Sequence, residues 1–182
     1  MKTSTEWFSR FRIIPPSTTV AEALLKLQEP QNTFAVVGDA EHPQTLVTSE
    51  EIAKLECESS LDLAKCLSQL PPVLVVPDLD LLKKQDCLQR ISSWLDETQA
   101  PGVIIYQQNQ VKGVISWEAI AKVLDGDSLT LEEKRTYGDS QVPVKSYICR
   151  KCIPPTYVFP RQGDTPTCPK DWLHGSMEQE SA

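Results

Sequence analysis

Residues 45–55, TLVTSEEIAKL, lie without a gap over residues 113–123, GVISWEAIAKV, at an offset of 68 positions. The same offset sets Val20 over Leu88, Ala23 over Ile91, Leu27 over Leu95, and the apolar run 34–37 over 102–105. An internal repeat of this length is one supersecondary unit used twice. Neither copy can bury its apolar face alone, so the two are expected to pack on each other and leave a cleft between them.

Each copy reads as an alternation of strands and helices. In the first, Ile13 and Ile14 run into Pro15-Pro16. Thr19 with Glu22 three residues later has capping-box spacing for a helix to about Gln28, with Val20, Ala23, Leu24 and Leu27 on one face. Residues 34–37 read as a buried strand, Gly38-Asp39 as a turn and 46–48 as a neighbouring strand. Thr48 and Glu51 repeat the capping spacing before a helix through Leu55. The second copy offers a strand at 73–76, a longer connection over 77–87, a helix over 87–95, a hairpin of 103–106 and 111–116, and a helix over 118–124. Outside the copies, Trp7, Phe8 and Phe11 are spaced to give a short helix an apolar stripe. The polar run 125–146, with Gly126, Gly138 and Pro143, reads as a connector with a helical turn or two near 131–135. The carboxylate pairs Glu50-Glu51 and Glu132-Glu133 point in divergent helical directions and read as solvated surface.

Composition fits a folded chain: 40% hydrophobic and 24% charged residues over 182 positions. No stretch approaches the roughly 18 apolar residues needed to cross a bilayer. Glu6, Arg10 and Arg12 interrupt the first dozen residues, so no secretory signal is visible and a cytoplasmic setting is the expectation. Net charge is −7. Residues 1–144 carry 13 Lys and Arg against 21 Asp and Glu, whereas 145–182 carry 5 against 4. The body should therefore repel polyanions, and any phosphate-backbone contact would fall to the tail.

The cysteines divide into two groups. Cys57, Cys66 and Cys87 are scattered among apolar positions and are expected to be small buried side chains in a reducing compartment. Cys149-x-x-Cys152, followed by Cys168, Asp171 and His174, has the spacing of a metal site. Two thiolates separated by two residues can face one ion from a tight knuckle, and a second knuckle across a hairpin completes a tetrahedral set. Val158 and Phe159 would supply apolar cover, and the metal most of the folding energy. His42, ahead of Pro43, reads as a solvent-facing turn residue.

The strand-helix-strand-strand-helix order, with TLVTSEEIAKL and GVISWEAIAKV each closing a copy, resembles the CBS domain, and the two copies together resemble a CBS pair. The family's closing motif is Gly, two apolar residues, Ser or Thr, two variable residues, then Asp. Copy one departs from it with Thr45 and Glu51, copy two with Ala119 at the carboxylate position. The resemblance implies a regulatory module that binds an adenosine nucleotide (AMP, ADP or ATP), with Thr48, Glu51 and Ser116 as the nucleotide-binding residues. In that role the helix N-termini take phosphate and the carboxylate takes ribose hydroxyls. The alternative is that Thr48, Glu51 and Ser116 only cap helices.

The tail resembles a zinc ribbon, with Zn2+ on Cys149, Cys152, Cys168 and a fourth ligand. A repeated Cys-x-x-Cys would place that ligand at Asp171, but His174 is the better chemical match for a Cys3His site. The expectation is thus an α/β chain of two β-α-β-β-α CBS repeats packed as a pair, plus a small C-terminal zinc-ribbon hairpin domain. Its parts are an N-terminal helix (1–11), repeats over 12–70 and 71–124, a linker (125–146) and the ribbon (147–182). No phosphate-cradling glycine loop, activated nucleophile or open metal site suggests an enzyme. A non-enzymatic regulator or adaptor follows, a homodimer by resemblance, with an unidentified protein partner and no membrane association. The rival is a nucleic-acid-binding ribbon presenting Lys145, Arg150, Lys151, Arg161 and Lys170, with Tyr147, Tyr157 and Trp172 for stacking.

Overall fold

Strand β1 (Phe11–Ile14) pairs in parallel with β2 (Phe34–Gly38), which pairs antiparallel with β3 (Pro43–Val47). This three-stranded sheet in the order β1-β2-β3 is the core of repeat one in the computed structural model, which describes residues 7–29, 33–124, 146–159 and 165–179. Helix α1 (Val20–Gln28) is capped by Thr19, whose Oγ accepts from the Glu22 N–H at 3.3 Å, and buries Val20, Ala23 and Leu27. It ends at Glu29, which is extended ahead of Pro30, as the residue before a proline must be. Gly38 has φ +131°, and a Cβ there would lie 2.3 Å from the His42 carbonyl oxygen, so the turn out of β2 requires glycine.

Helix α2 (Ser49–Ala53) stops short of the expected Leu55. Beyond it the chain folds back through α3 (Leu63–Cys66), and Cys57 and Cys66 form a disulfide. Cys66 is fully buried and Cys57 half-buried, so the expectation of separate small thiols fails for this pair. The backbone already brings them together: Val20 and Ala21 N–H groups donate to Leu61 and Ser59 carbonyls, folding the loop onto the start of α1.

Repeat two follows the offset. Strand β4 (Val73–Val76) is followed by α4 (Leu79–Leu82) in the longer connection and then by α5 (Gln85–Thr98). Leu88, Ile91 and Leu95 of α5 are buried, as are their counterparts in α1. Strands β5 (Gly102–Gln107) and β6 (Gln110–Ser116) form a hairpin whose turn residues Gln108 and Asn109 have φ of 53° and 57°, and α6 (Trp117–Leu124) closes the unit. The repeats are tied together where the Val111 N–H donates to Ala40 O at 2.8 Å and the Tyr106 hydroxyl donates to Glu41 O.

Of the expected N-terminal helix, residues 1–6 lie outside the described residues, Trp7 is in a 3-10 turn, and residues 8–11 are not helical. Ser9 instead bridges to β6, its N–H donating to Val114 O at 2.8 Å, and Phe11 enters β1. Phe8 lies over Gly113, where a Cβ would come within 2.2 Å of its ring. Space above a glycine and a free strand edge outweigh the helical spacing of Trp7, Phe8 and Phe11.

The tail is hydrogen-bonded into repeat two. Strands β7 (Tyr147–Cys149) and β8 (Thr156–Val158) form a hairpin, β9 (Glu178–Gln179) flanks β7, and β8 pairs in parallel with β4. One six-stranded sheet results, in the order β6-β5-β4-β8-β7-β9. Its apolar side chains join existing cores rather than depending on the metal alone: Phe159 packs with Leu74, Leu88 and Trp94, and Val158 with Val36, Val73 and Ile104. The connector over 125–145, with Glu132-Glu133, lies outside the described residues.

Candidate functional site

Two knuckles converge behind β7. Cys149 and Cys152 close the turn after β7, and Cys168 and His174 sit in the segment before β9, held closed by the Cys168 N–H donating to Gly175 O at 3.1 Å. The Cys152 and Cys168 sulfurs are 3.3 Å apart, and His174 Nδ1 is 3.5 Å from Cys149 Sγ and 3.4 Å from Cys152 Sγ. All four candidate ligand atoms lie within 4.8 Å of one another, and the three cysteines are buried. Three thiols and one imidazole on a common centre are a soft, compact donor set that suits a tetrahedral thiophilic cation.

Asp171, the sequence's other candidate for the fourth ligand, stands behind His174. Its Oδ2 is 3.8 Å from His174 Nε2, while its Oδ1 accepts from the Leu173 N–H at 2.9 Å. This carboxylate lies on the side of the imidazole away from the sulfurs, beyond hydrogen-bond distance, so its pull on the ring is electrostatic. Two lysines cross between the knuckles. Lys151 Nζ donates to His174 O at 3.0 Å, and Lys170 Nζ to Pro154 O at 2.8 Å. Each stands two residues after the first cysteine of its knuckle. Neither role was legible from spacing, although the matched position is a sequence signal.

The sulfurs also bias one another's ionisation. A hydrogen bond with Cys168 pushes the Cys152 thiol up, and the same bond holds Cys168 down. Desolvation lowers Lys170 to about 8 against the opposing pull of the three sulfurs.

The second feature is a cavity of about 440 Å³ at the junction of the repeats. Thr48, Glu51 and Ser116 all line it, so the structure brings the three nucleotide-binding candidates to one cleft. Each is already used locally. Thr48 Oγ accepts from the Glu50 N–H at 3.2 Å, Glu51 accepts from the Thr48 N–H at 2.6 Å and from its hydroxyl, and Ser116 Oγ accepts from the Ala119 N–H at 3.1 Å. These are the helix caps that the alternative reading named.

Sequence reasoning missed the charge of the cleft. Glu50, Glu51, Asp96 and Glu118 line it, and no Lys or Arg does among the described residues. Glu50 and Glu118 are equivalent under the repeat offset, a signal that was present in the sequence. Glu50 is a cleft residue as well as a solvated one, paired with Lys54 at 2.7 Å on its exposed side.

No family model matches the chain, and no curated protein matches its sequence. Among solved structures, the chain is similar to a putative signal-transduction protein with CBS domains from Burkholderia ambifaria MC40-6. The TM-score is 0.50 at 12% identity, over 75% of this chain and 94% of that one. The fold is that of a CBS domain pair. A CBS domain pair/ACT domain protein from Thermotoga maritima is similar at 21% identity with TM-score 0.47, over 66% of this chain and 94% of that one. No helix of the described residues is long and apolar enough to cross a membrane.

Two of the three aromatic groups expected for base stacking are otherwise engaged. Tyr147 is buried, and the Tyr157 ring packs edge-on against Trp94 with centroids 4.9 Å apart. Lys145 and Arg161 lie outside the described residues.

Proposed function

We propose that the protein is a non-enzymatic regulatory module in which the CBS pair senses a small ligand in the inter-repeat cleft and the C-terminal ribbon holds one Zn2+ on Cys149, Cys152, Cys168 and His174. The observation that carries the ligand reading is the cleft itself, which takes Thr48 from one copy and its equivalent Ser116 from the other. Two helix N-termini then face a common cavity, and their partial positive charge offsets some of the carboxylates.

Charge narrows the ligand class. Four carboxylates without a lining cation disfavour a polyphosphate. Adenosine or AMP is therefore the better fit, with base and ribose carrying the affinity, and ATP the worse one. Calorimetric titration of the purified full chain with adenosine, AMP and ATP tests this. Binding of the first two with weaker ATP binding is expected; ATP binding tighter than adenosine would reverse the assignment. The metal reading predicts one Zn2+ per chain in native mass spectrometry.

A second reading is favoured by the caps: with Thr48, Glu51 and Ser116 all satisfied locally, the pair would be a rigid homodimerising scaffold for a protein partner. No heat with any of the three titrants, together with a dimeric mass, would select it.

A further inference from the structure

The metal site and the cleft share their packing. Cys149, Cys152 and Cys168 belong to the same buried cluster as Phe34, Val36, Val73 and Ile104, the apolar layer between the two sheets. Phe34 belongs to that layer and also lines the cleft. On the other side of β4, Phe159 joins the cluster containing Leu95 and Ala100, which line the cleft as well. The residue pair Val158-Phe159 at the end of β8 thus sends one side chain into each layer, and each layer reaches a wall of the cleft.

The tail that carries these four residues pairs with repeat two along a single strand edge. It covers the outer edge of β4 through only three paired positions, Val73–Thr156, Leu74–Tyr157 and Val75–Val158. Between its knuckles the Cys152 and Cys168 sulfurs lie 3.3 Å apart, with His174 Nδ1 3.4 Å from Cys152 Sγ, a donor set within reach of one cation. A metal that binds the folded ribbon and not the open one contributes its binding free energy to folding.

We infer that metal occupancy is a regulatory input to the CBS pair. Filling the Cys149, Cys152, Cys168 and His174 site fixes β8 on β4 and, through Phe34 on one side and Phe159 with Leu95 and Ala100 on the other, fixes the cleft walls. Metal and cleft ligand then reinforce each other, because coupling between two sites is reciprocal. The inference rests on the metal reading above, and its ligand class is a thiophilic divalent cation, Zn2+ in preference to Mg2+ or Ca2+.

The test is hydrogen exchange by mass spectrometry on the full chain, metal-stripped and after addition of Zn2+ alone, with native mass spectrometry on the same samples. Zn2+ should slow exchange by about tenfold or more, the usual scale of a coupling free energy, in the ribbon, in 73–76 and in the cleft-wall segments 34–38 and 95–104. One bound Zn2+ with slowing confined to 146–179 would overturn the inference and leave the metal reading standing. No bound Zn2+ would overturn the metal reading itself. A Phe159→Ala chain keeps all four ligands; it should bind Zn2+ and protect the ribbon while losing most of the added protection at 95–104. Full protection there would overturn the proposed route.

Discussion

At residue 171 a ribbon built from two Cys-x-x-Cys knuckles would carry its fourth thiolate. Here a carboxylate occupies that position, and the fourth donor beside the sulfurs is His174, three residues further on, with Asp171 on the side of its far nitrogen. Asp171→Asn removes that charge while leaving the four donors in place. We expect Zn2+ affinity to fall about tenfold, the scale of lost outer-shell support, measured by competition with a chromophoric chelator. The cleft hydroxyls make a separate prediction. Thr48→Ala should cost about 1 kcal/mol in urea denaturation, as loss of an N-cap does, with the fold retained. If adenosine binds the variant as tightly as the parent, Thr48 serves the helix alone. The cysteine candidates were legible because the spacing of such a donor set is local. The place of Asp171 beside the ring was not, because it depends on where the imidazole turns.

Among the elements, the hairpin β5–β6 sets one lip of the cleft, and Gly102 makes its close approach possible. A Cβ at that position would lie 2.3 Å from the Ile115 carbonyl oxygen, a backbone atom that cannot turn aside. Gly102→Ala should therefore destabilise the chain by about 1–3 kcal/mol, the usual cost of overpacking, with lost hydrogen-exchange protection concentrated in β5 and β6. The loop after α2 carries a second prediction. The Cys57–Cys66 disulfide closes a segment of sequence separation 9, for which chain entropy gives a stabilisation of about 2.5 kcal/mol. Reductant should lower the thermal midpoint of the zinc-loaded chain accordingly; an unchanged midpoint would show that the loop is held by its backbone bonds to α1 instead. Helix α1, helix α5 and the hairpin were readable because their periodicities and caps lie within a few residues. The short helices α3 and α4 were not read from periodicity, since four residues are too few to display one.

For the whole molecule, charge and the fate of the aromatic side chains decide between partners. The chain is net −7, Tyr147 is buried and Tyr157 packs on Trp94, so a single-stranded oligonucleotide finds neither a basic surface over the body nor those two stacking platforms. We expect no retardation of such an oligonucleotide by the full chain at low ionic strength in a mobility-shift assay. A salt-sensitive shift would return the nucleic-acid reading. By itself the sequence determined the repeat, the order of elements within it, the caps at Thr48 and Ser116, and the candidate set Cys149, Cys152, Cys168 and His174, because spacing and period are properties of neighbouring residues. Only the tertiary structure decided that His174 stands beside the three sulfurs while Asp171 stands behind it, that Ser9 bridges to β6, that Cys57 meets Cys66, that Thr48 and Ser116 reach one cleft, and that β8 completes the edge of β4. The reason is physical: strand edges offer nearly interchangeable rows of donors and acceptors, and which edge a distant segment joins is chosen by the side chains it can bury on arrival, here Val158 and Phe159 in two different layers.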